Sequence, residues 1–86
     1  MSKIIFIFNS IPTIIQCNED DLMENICQKF ANKINIQLNN LFFLYDGKEI
    51  NLHFTFNEQA KENDRQEGKM NILVYSNLDD NKKKRF

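Results

Sequence analysis

The 86-residue sequence contains only two glycines, one proline, two cysteines and one histidine, and it has no long apolar run. A helix that crosses a bilayer needs about 18 or more apolar residues in succession, and no stretch approaches that length. With two isolated glycines there is no glycine-rich loop to hold a phosphate, and the acidic residues do not have EF-hand spacing. These shortages argue against a membrane span and against the common phosphate-binding and calcium-binding motifs.

The cysteines and the histidine are too few and too scattered to predict a metal or redox site. Cys17 and Cys27 do not form a Cys-x-x-Cys pair, and with His53 they would supply only three zinc ligands. Both cysteines have apolar neighbours, which favours reduced core thiols over a disulfide and predicts an intracellular protein of the cytoplasm or nucleus. A buried thiol is a poor nucleophile, and His53 has no acid or nucleophile at a catalytic spacing. We therefore expect no metal, no cofactor and no enzymatic activity.

Charge is distributed unevenly along the chain. The net charge is -1, but residues 1–78 hold seven basic and ten acidic side chains, a net of -3. Residues 82–86 carry four of the eleven positive charges. A folded part with that sign lacks the positive surface that nucleic acid requires, so nucleic acid is not an expected partner. The basic end is interpreted as a solvated tail, with a nuclear-import or anion-binding segment as the alternative.

The sequence is rich in short β-branched and aromatic runs. Residues 4–8 and 13–17 are predicted to be the two strands of a hairpin, connected by residues 9–12. In a strand, successive side chains point to opposite faces, so the polar neighbours of each run indicate which residues face inward. The inward set predicted in this way is Ile4, Phe6, Phe8, Ile15 and Cys17.

A helix between residues 18 and 34 has the clearest periodicity in the sequence. Its apolar residues recur at intervals of three, one, three and four, which places them on one face. Asp21 and Glu24 have the spacing of a capping box at the start, and Asn35 suits a left-handed residue at the end. The apolar face consists of Met23, Ile26, Cys27, Phe30 and Ile34.

The next part of the chain is predicted to form a second hairpin. Leu41–Tyr45 is a strand, Asp46-Gly47 is a two-residue turn, and residues 48–50 begin a short return strand. Asn57 is predicted to cap a single helical turn. Residues 61–69 have no apolar side chain and are predicted to be a solvated loop.

The last strand is predicted at residues 70–75, so that residues 1–76 form one domain and residues 77–86 a polar and basic tail. A single helix with one apolar face must lie across one side of a sheet, which leaves the other side facing solvent. The predicted fold class is α+β, a mixed sheet of four to five strands with one helix packed across one face.

The order of these elements, together with several short motifs, resembles ubiquitin and its relatives, which have the β-grasp fold. Residues 17–48 align with ubiquitin without a gap. Within them, Glu24-Asn25-Ile26 matches the first turn of the ubiquitin helix, and Tyr45-Asp46-Gly47-Lys48 matches its aromatic-x-Gly-Lys turn. Thr55-Phe56 falls where ubiquitin has Thr-Leu, and Ile72-Leu73-Val74-Tyr75 is similar to the last strand of the SUMO-like branch.

This resemblance covers residues 3–75 and implies a eukaryotic domain that binds proteins. The connection from Phe56 to Ile72 is several residues longer than in ubiquitin. Ubiquitin-like modifiers carry Gly-Gly shortly after the last strand, whereas no glycine follows Gly68 here. Because conjugation needs an unhindered glycine carboxylate, the resemblance implies a domain that is not conjugated to other proteins.

Strand alternation predicts an apolar surface on the open side of the sheet. If Phe43 and Tyr45 face the helix, their neighbours on the strand face away from it, and the same reasoning applies to the last strand. The predicted partner-binding residues are Phe42, Leu44, Gly47, Lys48, Leu73 and Tyr75. The same region of ubiquitin is its main recognition patch, and the resemblance supports all of these positions except Phe42, where ubiquitin has arginine.

Other interpretations of the same residues remain open. Residues 57–69 or the tail would make this surface part of the core if either folded over it. A structural subunit of a larger multiprotein assembly would use the same fold without a transient recognition role. The sequence predicts a protein partner without identifying it.

Overall fold

A five-stranded sheet and a twelve-residue helix account for most of the computed structural model, which describes residues 1–77. The strands are β1 (Ser2–Phe8), β2 (Ile11–Cys17), β3 (Leu41–Tyr45), β4 (Lys48–Glu49) and β5 (Lys69–Ser76). The helices are α1 (Met23–Ile34), α2 (Phe56–Gln59) and α3 (Glu62–Glu67), and a single 3-10 turn covers Leu38–Asn40. The sheet order is β2-β1-β5-β3-β4, with β1 and β5 parallel and the other neighbouring strands antiparallel. This is the predicted α+β class with the β-grasp arrangement.

The core lies between α1 and one side of the sheet. Phe6 of β1 and Phe30 of α1 stack with their ring centroids 4.6 Å apart, and Phe43 of β3 meets Phe30 edge to face at 6.3 Å. The predicted inward residues of β1, β2 and α1 are buried, with Phe8 and Ile34 half-buried at the margin. Burial of each large apolar side chain contributes roughly 1.5–3 kcal/mol, so this layer is the main source of stability.

The first hairpin has a tighter turn than the sequence predicts. Asn9 and Ser10 both have positive φ, 53° and 65°, and they alone connect β1 to β2. Positive φ at both central residues matches the twist of the two strands, so a two-residue turn suffices. Ile11 and Pro12 therefore belong to β2. This strand lies at the edge of the sheet, where a residue without an N–H group is tolerated.

The predicted capping box of α1 is wrong. The Asp21 carboxylate accepts a hydrogen bond from the Asn18 N–H at 2.8 Å and does not cap the helix. Backbone carbonyls of the loop after β4 accept from the first N–H groups of α1 instead. These hydrogen bonds run from Met23 N–H to the Phe54 carbonyl at 2.7 Å and from Glu24 N–H to the Leu52 carbonyl at 3.0 Å. The far end of α1 is as predicted, because Asn35 is left-handed with φ 61°.

The cap predicted at Asn57 lies two residues earlier, at Thr55. The Thr55 Oγ1 accepts from the Glu58 N–H at 3.2 Å, and the Glu58 carboxylate accepts from the Thr55 N–H at 2.9 Å. This reciprocal pair is a capping box, which satisfies two donors where Asn57 alone would satisfy one. The short helix α2 therefore begins at Phe56, whose side chain is fully buried.

Helix α3 (Glu62–Glu67) takes the place of most of the loop predicted at residues 61–69. No residue of α3 is buried, so it has no apolar pattern that would reveal it. Tyr45 fixes its start, since the hydroxyl accepts from the Lys61 N–H at 2.9 Å and donates to the Asp64 carboxylate at 2.5 Å. The Arg65 guanidinium adds a hydrogen bond to the Ala60 carbonyl at 2.9 Å. Polar contacts to the rest of the fold therefore anchor a helix that has no buried face of its own.

The second hairpin and the last strand are as predicted. Asp46 and Gly47 both have positive φ, 54° and 79°, as a two-residue turn between paired strands requires. The chain leaves β5 at Asn77, whose side-chain amide donates to the Asn39 carbonyl at 3.3 Å. Residues 78–86 of the predicted tail lie outside the described residues, so the proposed boundary after residue 76 stays a prediction.

Candidate protein-binding surface

Phe42, Leu44, Leu73 and Tyr75 lie side by side on the side of the sheet that α1 does not cover. The register pairs Phe42 with Tyr75 and Leu44 with Leu73. Residues directly opposite in an antiparallel pair have Cβ atoms about 4.5–5.5 Å apart, so the four side chains are contiguous. The exposed fractions are 39% for Phe42, 44% for Leu73 and 52% for Tyr75, and Leu44 is half-buried. We call these four residues the open-face patch, and the described segment 57–69 does not seal it.

Gly47 and Lys48 do not join the open-face patch. The register pairs Lys48 with Tyr45, which faces the α1 side of the sheet, so Lys48 belongs to that side as well. Glu49 is paired with Leu44 and is the charged residue of β4 on the open side. Gly47 lies in the turn beyond the end of β3.

The apolar surface continues onto β1 and β2, which the sequence reasoning did not include. Ile7 lies between Pro12 on one side and Leu73 on the other, and Ile5 lies next to Ile14. Ile14 is 53% exposed, whereas Ile5 and Ile7 are half-buried. The same alternation that places Ile4 and Phe6 inward indicates that their neighbours face outward. What the sequence does not show is that β5 places them beside the open-face patch.

A small cavity opens at one end of this surface. It has a volume of about 260 Å³ and lies between the Asn9-Ser10 turn and the last part of β5, with Leu73 and Tyr75 in its lining. Large side chains of a binding partner commonly anchor in pockets of this kind within an apolar surface. The cavity adds a concave feature to the edge of the apolar surface, beside Leu73 and Tyr75.

Polar side chains border the surface at its other end. Lys3 of β1 is paired with Gln16 of β2 on one side and with Lys69 of β5 on the other. Together with Glu49 they form a charged and polar margin around the apolar residues. An apolar centre with a polar rim is the usual composition of a protein–protein interface.

The two cysteines lack the chemistry of nucleophiles. Burial raises the pKa of the Cys27 thiol to about 12, and burial together with the nearby Asp21 charge raises that of Cys17 to about 11. Both thiols are therefore protonated at neutral pH, and both are free. Within residues 1–77, no three His, Cys, Asp or Glu side chains come together in a group that could hold a metal ion.

A second polar cluster, at Tyr45, has a structural role. Burial and the hydrogen bond donated to Asp64 raise the pKa of the Tyr45 hydroxyl to about 12. Nearby, the Lys61 ammonium lies 2.6 Å from the Asp46 carboxylate and lowers its pKa. These contacts join α3 to the second hairpin on the α1 side of the sheet.

None of the helices in the described part of the chain is long and apolar enough to cross a bilayer.

Comparison with known proteins supports the fold. No family model matches the sequence, and no curated protein matches it. The chain is similar to the crystal structure of ATBAG1 in complex with HSP70, with a TM-score of 0.74 at 9% sequence identity. The similarity covers 98% of this chain and 45% of that chain, so this chain spans less than half of its length. At this identity the likeness shows a ubiquitin-like fold.

Proposed function

We propose that this chain is a ubiquitin-like domain that binds a protein partner through the open-face patch and is not itself conjugated. The observation that carries the proposal is the contiguity of four apolar side chains, two of them aromatic, on a face that the described chain leaves uncovered. Monomeric soluble proteins rarely expose contiguous apolar patches larger than a few hundred Å² unless the patch is functional. The extension through Ile5, Ile7 and Ile14 enlarges the surface beyond the predicted residues.

The proposed mechanism is burial of this surface against an apolar groove or helix of the partner. Tyr75 and Phe42 supply large, rigid contact area, and the cavity beside Leu73 receives one partner side chain. Lys3, Lys69 and Glu49 form the rim, where charges set orientation and association rate more than affinity. Lys48, which the sequence analysis included among the partner-binding residues, lies on the other side of the sheet by register and is not part of the proposed mechanism.

The comparison adds support to the class of function but does not identify a partner. The similar structure is that of ATBAG1 in complex with HSP70, so a protein of this fold is known with a protein bound. With 9% identity and 45% coverage of that chain, no partner is transferred. We propose membership of the ubiquitin and SUMO superfamily on the resemblance of residues 3–75.

Two further observations support this proposal. Residues 77–86, which follow β5 directly, contain no glycine at the place where ubiquitin-like modifiers have their Gly-Gly, and this supports a domain that is not conjugated. The protonated, buried thiols support a binding role without catalysis, in a reducing compartment such as the cytoplasm or nucleus.

The test is affinity capture with three forms of the chain: wild type, Leu44→Asp and Asn25→Asp. The control introduces the same charge on the exposed side of α1 and leaves the open face unchanged. The wild type and the control are expected to capture proteins that bind the open-face patch. Leu44→Asp is expected to lose them. For an identified partner, Tyr75→Ala should weaken binding by roughly 1–3 kcal/mol. Thermal unfolding of each variant checks that it is folded, and equal capture by all three forms contradicts the proposal.

The same material tests the alternative of a structural subunit. A transient binder elutes from a native extract mostly at its own size, whereas a structural subunit elutes entirely within a large complex. In the second case Leu44→Asp is expected to release the chain from the complex only if the open-face patch is the contact. Size measurement therefore distinguishes the two kinds of function, and the variant tests the surface in either case.

A further inference from the structure

The open side of the sheet has a positively charged end. Lys3 of β1 and Lys69 of β5 are register partners on neighbouring strands, which lie about 4.8 Å apart. Alternation along β1 and β5 places both lysines on the side that carries the open-face patch, Lys3 exposed and Lys69 half-buried. Gln16, the register partner of Lys3 on β2, adds an amide with N–H donors. We call Lys3, Lys69 and Gln16 the cationic end.

No carboxylate of the described chain neutralises the two lysines. The ion pair within residues 1–77 is that of Lys61 with Asp46, and neither Lys3 nor Lys69 has an acidic partner in that part of the chain. Glu67 lines a small pocket beside Lys3 without forming an ion pair with it. Like charges directly opposite each other on neighbouring strands destabilise a sheet. An acidic group of another molecule would remove this unfavourable interaction.

The outward residues of the strands have a net charge opposite in sign to that of the domain. The charged residues among them are Lys3, Lys69 and Glu49, a net of +1, whereas residues 1–78 carry a net of -3. The positive charge lies at the start of β1 and β5, away from Glu49 on the edge strand β4. Charge complementarity at an interface favours a partner with negative charge at this position.

The lysines lie within reach of one short segment that also covers the open-face patch. Along β5, Leu73 is four residues and Tyr75 six residues from Lys69, which is about 13 Å and 20 Å at 3.3 Å per residue. Ile5 and Ile14 form the row next to the cationic end. The outward surface is therefore apolar from the aromatic residues almost to the lysines, and a single partner segment can contact both.

We propose that the partner contacts the open face with an apolar segment that has two or more carboxylates at one end, and that the cationic end binds those carboxylates. The inference rests on the proposed function, since it names the chemistry of a partner for the same face. The apolar residues supply the buried area, and the lysines fix the direction of the segment. The reversed direction would place the carboxylates beside Phe42 and Tyr75, where the outward strand residues include no cation.

The experiment selects displayed random peptides of about 16 residues on the full 86-residue chain. Such a peptide spans about 24 Å as a helix and more when extended, enough to reach from Lys69 to Tyr75. Peptides that the wild type binds and Leu44→Asp does not are kept and sequenced. They should be enriched in Asp and Glu at one end of an apolar stretch. The same selection on the double variant Lys3→Glu, Lys69→Glu should enrich Lys and Arg at that end instead.

The affinity of one selected acidic peptide tests the lysines directly. Lys3→Glu, Lys69→Glu keeps two like charges side by side and reverses their sign, so it should weaken binding about tenfold at physiological salt, because two attractions become repulsions. The matched control is Lys29→Glu, Lys48→Glu, which makes the same change of net charge at exposed lysines away from the open face. It should weaken binding less than about threefold. Thermal unfolding checks that both variants are folded.

Three results would overturn the inference. The first is a set of Leu44-dependent peptides without acidic enrichment, which would leave the proposed function standing. The second is equal weakening by the control variant, which would mean a general effect of net charge. The third is the absence of any peptide that distinguishes the wild type from Leu44→Asp, which would contradict the proposed function as well. Binding of phosphatidylserine vesicles through Lys3 and Lys69 would then assign the cationic end to a lipid surface.

Discussion

The two faces of the sheet carry similar side chains, but those of one face are buried and those of the other are exposed. Phe43 is 4% exposed and its neighbour Phe42 is 39% exposed, although both are phenylalanines on the same five-residue strand. Tyr45 has its ring buried and its hydroxyl paired twice, whereas Tyr75 of β5 lies half in solvent. Apolar composition therefore does not distinguish core from surface in this protein. The side of the strand on which a residue lies distinguishes them.

The difference follows from having one long helix. The side that faces α1 buries its aromatic rings against Phe30, and this contact contributes stability to the folded chain itself. The other side has no layer of described residues over it, so its apolar area still has free energy to gain when a partner covers it. The same five strands thus have one face that forms the core and a second face that we propose binds a partner.

The largest expected effect comes from truncating the two phenylalanines separately. Phe43→Ala should lower the free energy of unfolding by about 3–5 kcal/mol, because it leaves a cavity among packed rings. Phe42→Ala should change it by less than about 1 kcal/mol, because its ring is already partly solvated. Urea denaturation measures both. Since Phe43→Ala could unfold so small a domain, Phe43→Leu provides a milder form, and equal losses at the two positions would remove the distinction between the faces.

The two tyrosines provide a second and smaller contrast. Tyr45→Phe removes the acceptor of the Lys61 N–H and the donor to Asp64, which should cost about 1–3 kcal/mol. Tyr75→Phe should change stability by no more than about 0.5 kcal/mol. Amide hydrogen exchange in α3 distinguishes the two variants further, because Tyr45→Phe should increase the exchange rate in that helix selectively. Unchanged protection of α3 in Tyr45→Phe would show that the hydroxyl does not anchor it.

The smallest effect expected is a loss of stability in mild alkali. The pKa of Cys27 rises from 9.0 to about 12 on folding, so the folded state holds its proton at a pH where the unfolded state has released it. The stability this provides is complete below pH 9 and is lost as the pH rises toward 12. At pH 10 the loss from Cys27 is roughly 1 kcal/mol. Urea denaturation at pH 8, 9 and 10 measures this loss. The free energy of unfolding of Cys27→Ala should depend less steeply on pH than that of the wild type. The same slope in the wild type and in Cys27→Ala would assign the effect to other groups.

Local patterns predicted the strands, the long helix and the inward side chains because each depends on neighbours in the sequence. Alternation along Leu41–Tyr45 already separates Phe42 from Phe43, and positive φ at Asp46 and Gly47 follows from their residue types. Two of the wrong predictions, the Asp21 cap and the loop at residues 61–69, involve partners distant in the sequence. Asp21 does not cap α1, since carbonyls about 30 residues later already accept from its first N–H groups.

Helix α3 could not be predicted for the same reason. Its residues are polar throughout, and the contacts that anchor it come from Tyr45, which precedes Asp64 by 19 residues. No pattern within residues 61–69 indicates that hydroxyl. The position of Lys48 likewise depended on register, because its pairing with Tyr45 decides the side of the sheet to which it belongs.

The sequence alone determined which side chains share a face of each strand and of the long helix, because those periods are properties of the local backbone. Only the tertiary structure decided which strands are neighbours. With β5 between β1 and β3, Leu73 lies between Ile7 and Leu44, and three separate outward positions become one apolar surface. Strand order depends on contacts between segments far apart in the chain, and these are set by the packing of the whole domain around α1.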